Sequence, residues 1–533
     1  MRNPIFGVRA KLALGLGAAT LSWVGSAHAT SVEEIGDNGS EQMGRGGAWV
    51  ARASDPLAAF YNPAGLAGQP TKLTLQANIN VLKQCLTRLK ATNDTTTGDG
   101  PNGTTIAPGA NFPQVCSSGT PFPDPQIGFT YRVTPRLGLG FAVVAPSAAG
   151  NTTWPSTFEN SPSSQRYLLL SANTLLLTPT VAVGWEPIDR FRVGLGLIWG
   201  VATVDFSNYA WAANNNNLPA GVNGNDLKGE VKAKDLFIPG ATAGVIWSPT
   251  DQIDIAGWYK VIGDINAKGD ILTTAGTGSK QINTNTADAD CGLKGGNFTC
   301  QPNKITVNVP IPMEAKIGFR FHVPRAGVEM AHVRDPMAQD IFDIEADLTW
   351  AHNSQFQNIA ISVPPNTPSA VPGALVPTNA DVPHNFKDVV GARFGGDYNV
   401  LPDRLALRAG AYFETSAQSA EDQNIDFAGQ QRIGFAGGAT YRIHLGAAPK
   451  TNALEFSVGL GHTFIATSTY NSQSTPNGGV HGLSGTPCLG TTTIPAGNTC
   501  PGGSETYRTA WPVNLGTITN AFTQINLGAS YRF

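Results

Sequence analysis

Charged side chains are scarce in this chain. Only 14% of its 533 residues are Asp, Glu, Lys or Arg, few for a soluble enzyme that must keep a polar coat against water. Long apolar runs are missing as well. Beyond the first 24 residues no segment approaches 18 consecutive apolar residues, which excludes membrane-spanning helices. No basic patch is concentrated enough to suggest a nucleic-acid partner, and the formal net charge is −3. No stretch has the form of a nucleophile elbow, and no His pair sits at zinc-binding spacing on a helix. The glycine clusters "GRGG" and "GLGLIWG" lack the spacing and the βαβ setting of a nucleotide loop. These gaps leave no catalytic residue, metal or cofactor to assign.

Cysteine is limited to six residues. They fall as three near pairs, Cys85 with Cys116, Cys291 with Cys300, and Cys488 with Cys500. Six cysteines allow fifteen pairings, so proximity only guides the connectivity. The stretch "CGLKGGNFTC" holds no histidine and no tight metal spacing, so disulfides are the reading in an exported protein.

Export is indicated at the start. Arg2, Arg9 and Lys11 precede the apolar "LALGLGAATLSWV" (12–24), and "AHA" ends at Ala29, so residues 1–29 read as a signal peptide. Thirteen apolar residues are too few to anchor the chain as a spanning helix. Without the leader, the 35 basic residues fall to 32 against 38 acidic. The mature chain then carries a formal net charge of −6.

What fills the rest is alternation. The final "INLGASYRF" sets Ile525, Leu527, Ala529, Tyr531 and Phe533 against Asn526, Gly528, Ser530 and Arg532, the two-residue period of a strand with one oily and one wet face. Similar endings recur: "GFTY" at Tyr131, "GVIW" at Trp247, "GFRF" at Phe321, "GGDY" at Tyr398, "GATY" at Tyr441 and "GASY" at Tyr531, with "AVGW" at Trp185 as a variant. Most precede a Pro-containing turn, after which a new alternating run begins. Fourteen strands are expected, at about 71–85, 125–134, 136–148, 170–186, 190–206, 235–248, 252–274, 305–323, 342–362, 385–400, 404–417, 431–445, 453–468 and 518–533. Six short connections lie on one side. Seven longer ones, rich in Asn, Gly, Ser and Thr and holding or flanking all six cysteines, lie on the other. An even strand count with short turns and long loops describes an all-β, 14-stranded antiparallel transmembrane barrel over residues 71–533. A propeller or sandwich stack would need polar outer faces. The recurring aromatics form an interfacial girdle on the short-turn side. Strand alternation does not explain the glycine three residues before each.

Residues 30–70 do not alternate. Asp55–Pro56 and Asn62–Pro63 each pair an N-cap residue with a proline suited to a first helical position. The pieces "LAAFY" and "AGLA" are too short to stand alone in water, so this segment is expected as a small helical plug inside the barrel. Asn62, Pro63 and Ala64 form its most distinctive triplet. Trp49, Phe60, Tyr61 and Leu66 are candidates to touch the wall or a ligand, with the wall preferred for Phe60 and Tyr61.

The exported "GRGGAWVARASDPLAAFYNPAGLAG", the fourteen strands and the terminal "YRF" together resemble the FadL/TodX-type family of outer-membrane transporters. The stretch "LLLTPTVAVGWEPIDRFRVGLGLIWGVA" (175–202) also resembles its fourth and fifth strands. The resemblance spans the mature chain and departs from the family in the long Cys-bearing loops 86–124 and 469–517. It implies transport of long-chain fatty acids or other hydrophobic compounds, including aromatic hydrocarbons. Capture at outer loops, a pocket against the plug and sideways exit through the wall follow from the same resemblance, with Pro146 of the third strand the candidate opening. It further implies outer-membrane lipid and lipopolysaccharide as surroundings, the barrel-insertion machinery as reader of the terminal aromatic, and a monomer. A general diffusion porin and an outer-membrane lipid hydrolase are the rival readings. Asp343, Glu345, Arg408 and Arg432 are expected as inward-facing partners and not a catalytic set.

Overall fold

The computed structural model describes residues 37–533, apart from 93, 95–96, 146–151, 212–225, 276–290, 295–296, 301–302, 328–333, 366, 368–380, 447–451 and 473–511. Fourteen antiparallel strands form the wall. They are β1 (Lys72–Arg88), β2 (Phe122–Thr134), β3 (Leu137–Val143), β4 (Thr180–Ile188), β5 (Phe191–Trp211), β6 (Asp226–Thr250) and β7 (Ile253–Ile262), followed by β8 (Glu314–Pro324), β9 (Asp340–Ala351), β10 (Val389–Leu401), β11 (Leu405–Glu414), β12 (Arg432–Leu445), β13 (Asn452–Tyr470) and β14 (Gly516–Arg532). Each pairs with the next. The sheet closes where β1 meets β14 in an unbroken register from Lys72↔Arg532 to Arg88↔Gly516. Closure removes every free edge, the condition for a sheet to live in lipid.

Alternation decides which side each residue sees. Leu75, Val181, Leu195, Leu197, Ile317, Leu348, Phe394, Leu460 and Leu527 all point outward and are exposed, an apolar belt with no aqueous justification. Tyr131, Trp185, Trp247, Tyr398, Tyr441 and Phe533 are also exposed near the short-turn ends. Phe321 and Tyr531 share that level but pack against Phe342 and Phe533, with centroids 6.5 and 4.7 Å apart.

Several strands are shorter or more broken than their alternation predicts. The third, expected to reach 148, is regular only to Val143, and its ladder to β2 stops at Ile127↔Val143. The fourth does not run unbroken from 170: a separate piece, Leu175–Leu177, precedes β4. The seventh, eighth and ninth each split in two, their outer pieces being Ile265–Ala275, Asn303–Val309 and Asn358–Ser362. Between β7 and β8 the ladder lapses from Lys260↔Glu314 to Ile265↔Val309, where Pro310 and Pro312 have no N–H to donate. Hydrophobic periodicity continues across such breaks, so pattern alone cannot locate them.

Cys85 and Cys116 face each other across the ladder and are joined. Cys291 and Cys300 are direct partners in an outer hairpin. Cys488 and Cys500 lie outside the described residues. Alkylation and peptide mapping of protein taken from the envelope should find 85 joined to 116 and 291 joined to 300. Free thiols at 291 and 300 would remove the second bridge.

Candidate functional site

Residues 37–70 occupy the barrel interior. They hold two short helices, α1 (Ser40–Gly44) and α2 (Ala58–Tyr61), and a single 3₁₀ turn, Pro63–Leu66. Asn62 caps that turn: its Oδ1 accepts from Ala64 N at 3.2 Å, while its Nδ2 donates to the Val50 carbonyl at 2.7 Å. Proline at the first position needs no N–H there. Asp55 differs from the expectation. Its Oδ1 accepts from Leu57 N at 2.8 Å, fixing the turn before α2, and the helix itself has no side-chain cap. Elements this short gain their order from burial, and from 37 to 70 all residues but the half-buried Glu41 and Ser54 are buried.

The wall admits the plug through glycine. Gly138, Gly184, Gly194 and Gly244 lie side by side on β3, β4, β5 and β6. A side chain on Gly194 would collide with the Pro63–Ala64 peptide, one on Gly244 with Asn62, and one on Gly138 with Leu66. The repeated glycines ahead of the girdle now have a reason. Gly128, Gly244, Gly318, Gly395 and Gly528 stand against Pro56, Asn62, Val50, Arg45 and Ser40 of the plug. Three residues separate an inward position from an outward one on a strand. These five repeats therefore set a plug-facing glycine three residues from a ring at the girdle, whereas Gly438 of the Tyr441 repeat meets Arg408 and Val458 of the wall.

Polar groups lock the contact. Strand β9 presents Asp343, Glu345 and Asp347 on one inward face, and these carboxylates accept from plug backbone: Trp49 N at 2.9 Å and Val50 N at 3.1 Å to Asp347, and Ala51 N at 2.6 Å to Glu345. The fully buried Arg45 reaches Asp343 at 2.6 Å, Asp397 at 2.8 Å and Glu345 at 3.0 Å. Arg52 joins Asp343 and lies 3.1 Å from Asp397, and Arg408 approaches Asp397 at 3.3 Å. Arg432 pairs with Glu414. The four inward charges expected from sequence thus lie in lumenal ion pairs. At the seam, Asn78 Nδ2 donates to Asn38 at 2.8 Å, and Ser40 Oγ donates to Gln76 at 2.9 Å and also to Asn526. Below the plug, in the 324–340 connection, burial opposes the charge of Asp335 but Arg442 and Arg532 hold its carboxyl well below the ordinary range. Its depressed value makes that clamp fully present at neutral pH and lost on strong acidification.

The aromatic candidates pack on the wall. The Phe60 carbonyl accepts from Thr242 Oγ1 at 3.0 Å and Trp258 Nε1 at 3.2 Å, and its ring lies 5.3 Å under Lys260 Nζ. Tyr61 lies 6.3 Å from Trp258 and 5.6 Å from Lys316 Nζ. Trp49 Nε1 donates to Glu41 at 3.2 Å, and Leu66 rests against Gly140. Pro146 lies outside the described residues.

Trp49, Phe60, Tyr61 and Leu66 do not line the enclosed apolar cavity that sits beyond the plug on the long-loop side. Its volume is about 90 Å³, several times the roughly 10–15 Å³ that one water needs. Leu176, Val204, Phe206, Ile265 and Val309 bring it strand positions, Ile311 comes from the break between Val309 and Glu314, and Leu168, Phe356 and Phe427 come from loops. Sequence reading missed the loop contributors, which have no periodicity to reveal them. The cavity liners Leu176, Val204, Ile265, Ile311 and Val382 belong to one buried apolar cluster with Ala142 and Val144 at the end of β3 and with Ala58, Ala59 and Phe60 of the plug.

One other constellation resembles catalytic machinery. Ser354 Oγ lies 3.2 Å from His352 Nδ1, and Asp388 Oδ1 lies 3.0 Å from the same nitrogen. Ser354 also donates to Asp388 at 2.5 Å. A hydrolytic relay needs serine and aspartate on opposite ring nitrogens, so this arrangement is a loop brace. Burial works against the charge of Asp388, but the hydrogen bonds from Ser354 and His352 keep its carboxyl below its usual range.

Comparison with known proteins adds the following. Residues 18–488 match the family described as outer membrane protein transport protein (OMPP1/FadL/TodX). No curated protein matches the chain. The crystal structure of a Pseudomonas aeruginosa FadL homologue is similar over 95% of this chain and 100% of its own, with 17% identity and a TM-score of 0.64. The Ralstonia pickettii toluene transporter TbuX is similar over 94% and 99%, at 15% identity and TM-score 0.52. The P. putida toluene transporter TodX is similar over 94% and 99%, at 13% and 0.54. Likeness at such identities carries the fold.

Proposed function

This chain belongs to the outer membrane protein transport family (OMPP1/FadL/TodX), and from that premise we propose the path by which it moves hydrophobic compounds across the outer membrane. A ligand enters the apolar cavity from the long-loop side and leaves sideways into lipid past the end of β3, while residues 30–70 keep the lumen shut to polar solutes. The segment Asn62–Pro63–Ala64 works as part of that gate. The observation that carries the reading is the single apolar cluster joining the cavity to Ala142 and Val144. The cluster is buried and packed, so an oily molecule moving through it stays among apolar side chains and is spared about 0.8 kcal/mol of water exposure per CH₂. Among the described residues the ladder between β2 and β3 ends at Ile127↔Val143, and Pro123 and Pro125 of β2 have no N–H to offer there.

Residues 1–29 act as the signal peptide and 71–533 as the barrel. Outer-membrane lipid and lipopolysaccharide surround a monomer. No catalytic role is assigned. The filled lumen also argues against a general diffusion porin, which would show steady ion conductance when pure.

A crosslink tests the exit. Continued in register, Ala145 would face Pro125, so the double variant Pro125→Cys/Ala145→Cys places a bond across the opening. Oxidation should abolish uptake of a hydrophobic probe, and reduction should restore it. Equal uptake in both states would place the exit elsewhere.

A further inference from the structure

The cavity has a chemically distinct end. Among its described lining residues Asp426 is the one ionisable side chain, and Thr174 and Asn208 are the other polar ones. Phe356 and Phe427 flank it, with Phe386 behind them: Phe356 lies 5.4 Å from Phe427 and 5.3 Å from Phe386. His384, whose side chain is fully buried, backs the carboxylate. Its Nε2 lies 2.7 Å from Asp426 Oδ2, and its Nδ1 lies 3.0 Å from the Val382 carbonyl oxygen. Both ring nitrogens are thus engaged, one by the carboxylate and one by backbone, and neither is turned to the cavity. Asp426 Oδ1 accepts from Phe427 N at 2.8 Å. A carboxylate has about four acceptor sites, so capacity is left toward the cavity.

Resting on the transport reading above, we infer that this cavity selects uncharged hydrophobic molecules carrying a hydroxyl, which donates to Asp426, over molecules carrying a free carboxylate. A ligand carboxylate would meet an acceptor, not a donor. It would also find no cation waiting: His384 is taken up by Asp426 and the Val382 carbonyl, and no Lys or Arg stands among the described lining residues. Burying an unpaired carboxylate is strongly unfavourable, whereas a hydroxyl with an acceptor waiting loses little on leaving water.

The test uses full-length protein in lipid nanodiscs and three probes built on one ring, p-cresol, toluene and p-toluate. Equilibrium dialysis at neutral pH, with empty nanodiscs subtracted, reports their binding. p-Cresol should bind about fivefold or more tighter than toluene, the size of one net hydrogen bond, and p-toluate should bind weakest. Asp426→Leu should bring the cresol-to-toluene ratio to one or below, because the hydroxyl then has no acceptor. The inference is overturned if p-toluate binds as well as p-cresol, or if the ratio survives in Asp426→Leu. Should that variant not assemble, equal binding of p-cresol and toluene to the wild type overturns it alone. If none of the three probes binds, the cavity is not the transport site, a result distinct from either.

Discussion

Arg45→Ala should undock the plug. Arg45 stands at the meeting point of Asp343, Glu345 and Asp397, all with fully buried side chains. Removing one partner of a buried ion pair destabilises by about 3–5 kcal/mol, because the opposing charge is left in low dielectric without water. Here three carboxylates lose a shared cation, and Arg52 remains with Asp343 and Asp397 but touches Glu345 through no ion pair. The wall has its own ladder, so the cost falls on the docking of residues 37–70 and not on the barrel. The variant should still shift on gels between unheated and heated samples, as a folded barrel does. Cells should become sensitive to a large hydrophilic antibiotic that the wild type excludes. Proteolysis within 37–70 should appear as well. A variant with unaltered exclusion and protection would mean that the charge lattice does not hold the plug.

Gly194→Val should produce a comparable leak by a steric route. The new side chain occupies space taken by the Pro63–Ala64 peptide, and backbone cannot rotate aside as a side-chain tip can. Overpacking costs about 1–3 kcal/mol where neighbours can shift, and the cap of Asn62, worth about 0.5–2 kcal/mol, is strained with it. Gly257→Val is the matched control. On β7 a Cβ at this position would meet only Val245, at an ordinary 3.6 Å. Uptake of a hydrophobic probe should fall sharply in the first and stay at wild-type level in the second. Equal uptake in the two would show that the glycine row does not seat the gate.

Much of the wall was legible because lipid and lumen impose opposite demands on alternate residues. Leu195, Leu197 and Trp199 on β5 announce their outward face without any knowledge of neighbours. The glycines illustrate what one strand cannot reveal. Gly244 carries no hint that Asn62 lies opposite, since that contact joins residues 182 positions apart in sequence. The helical character of 37–70 was readable from Asn62–Pro63, whereas the role of Asp55 as a turn brace was not, because a cap signature does not say where the helix begins. The breaks at Pro310 and Pro312 were visible as prolines but not as gaps, the apolar pattern running on through both. The cavity was illegible: Leu168, Phe356, Asp426 and Phe427 come from irregular loops, and only tertiary packing gathers them.

The seam asparagines carry a consequence for timing. Asn38 and Ser40 bond to Asn78, Gln76 and Asn526, so the plug grips both the first strand and the last. Those two strands meet only at the final step of closure, and the register between them then runs without interruption from Lys72 to Arg88. A segment wedged between glycines has no slack through which to thread afterwards. The strands need only their own ladder to close, but a plug seated before the two ends of the sheet approach is locked in as the clasp fastens over Ser40.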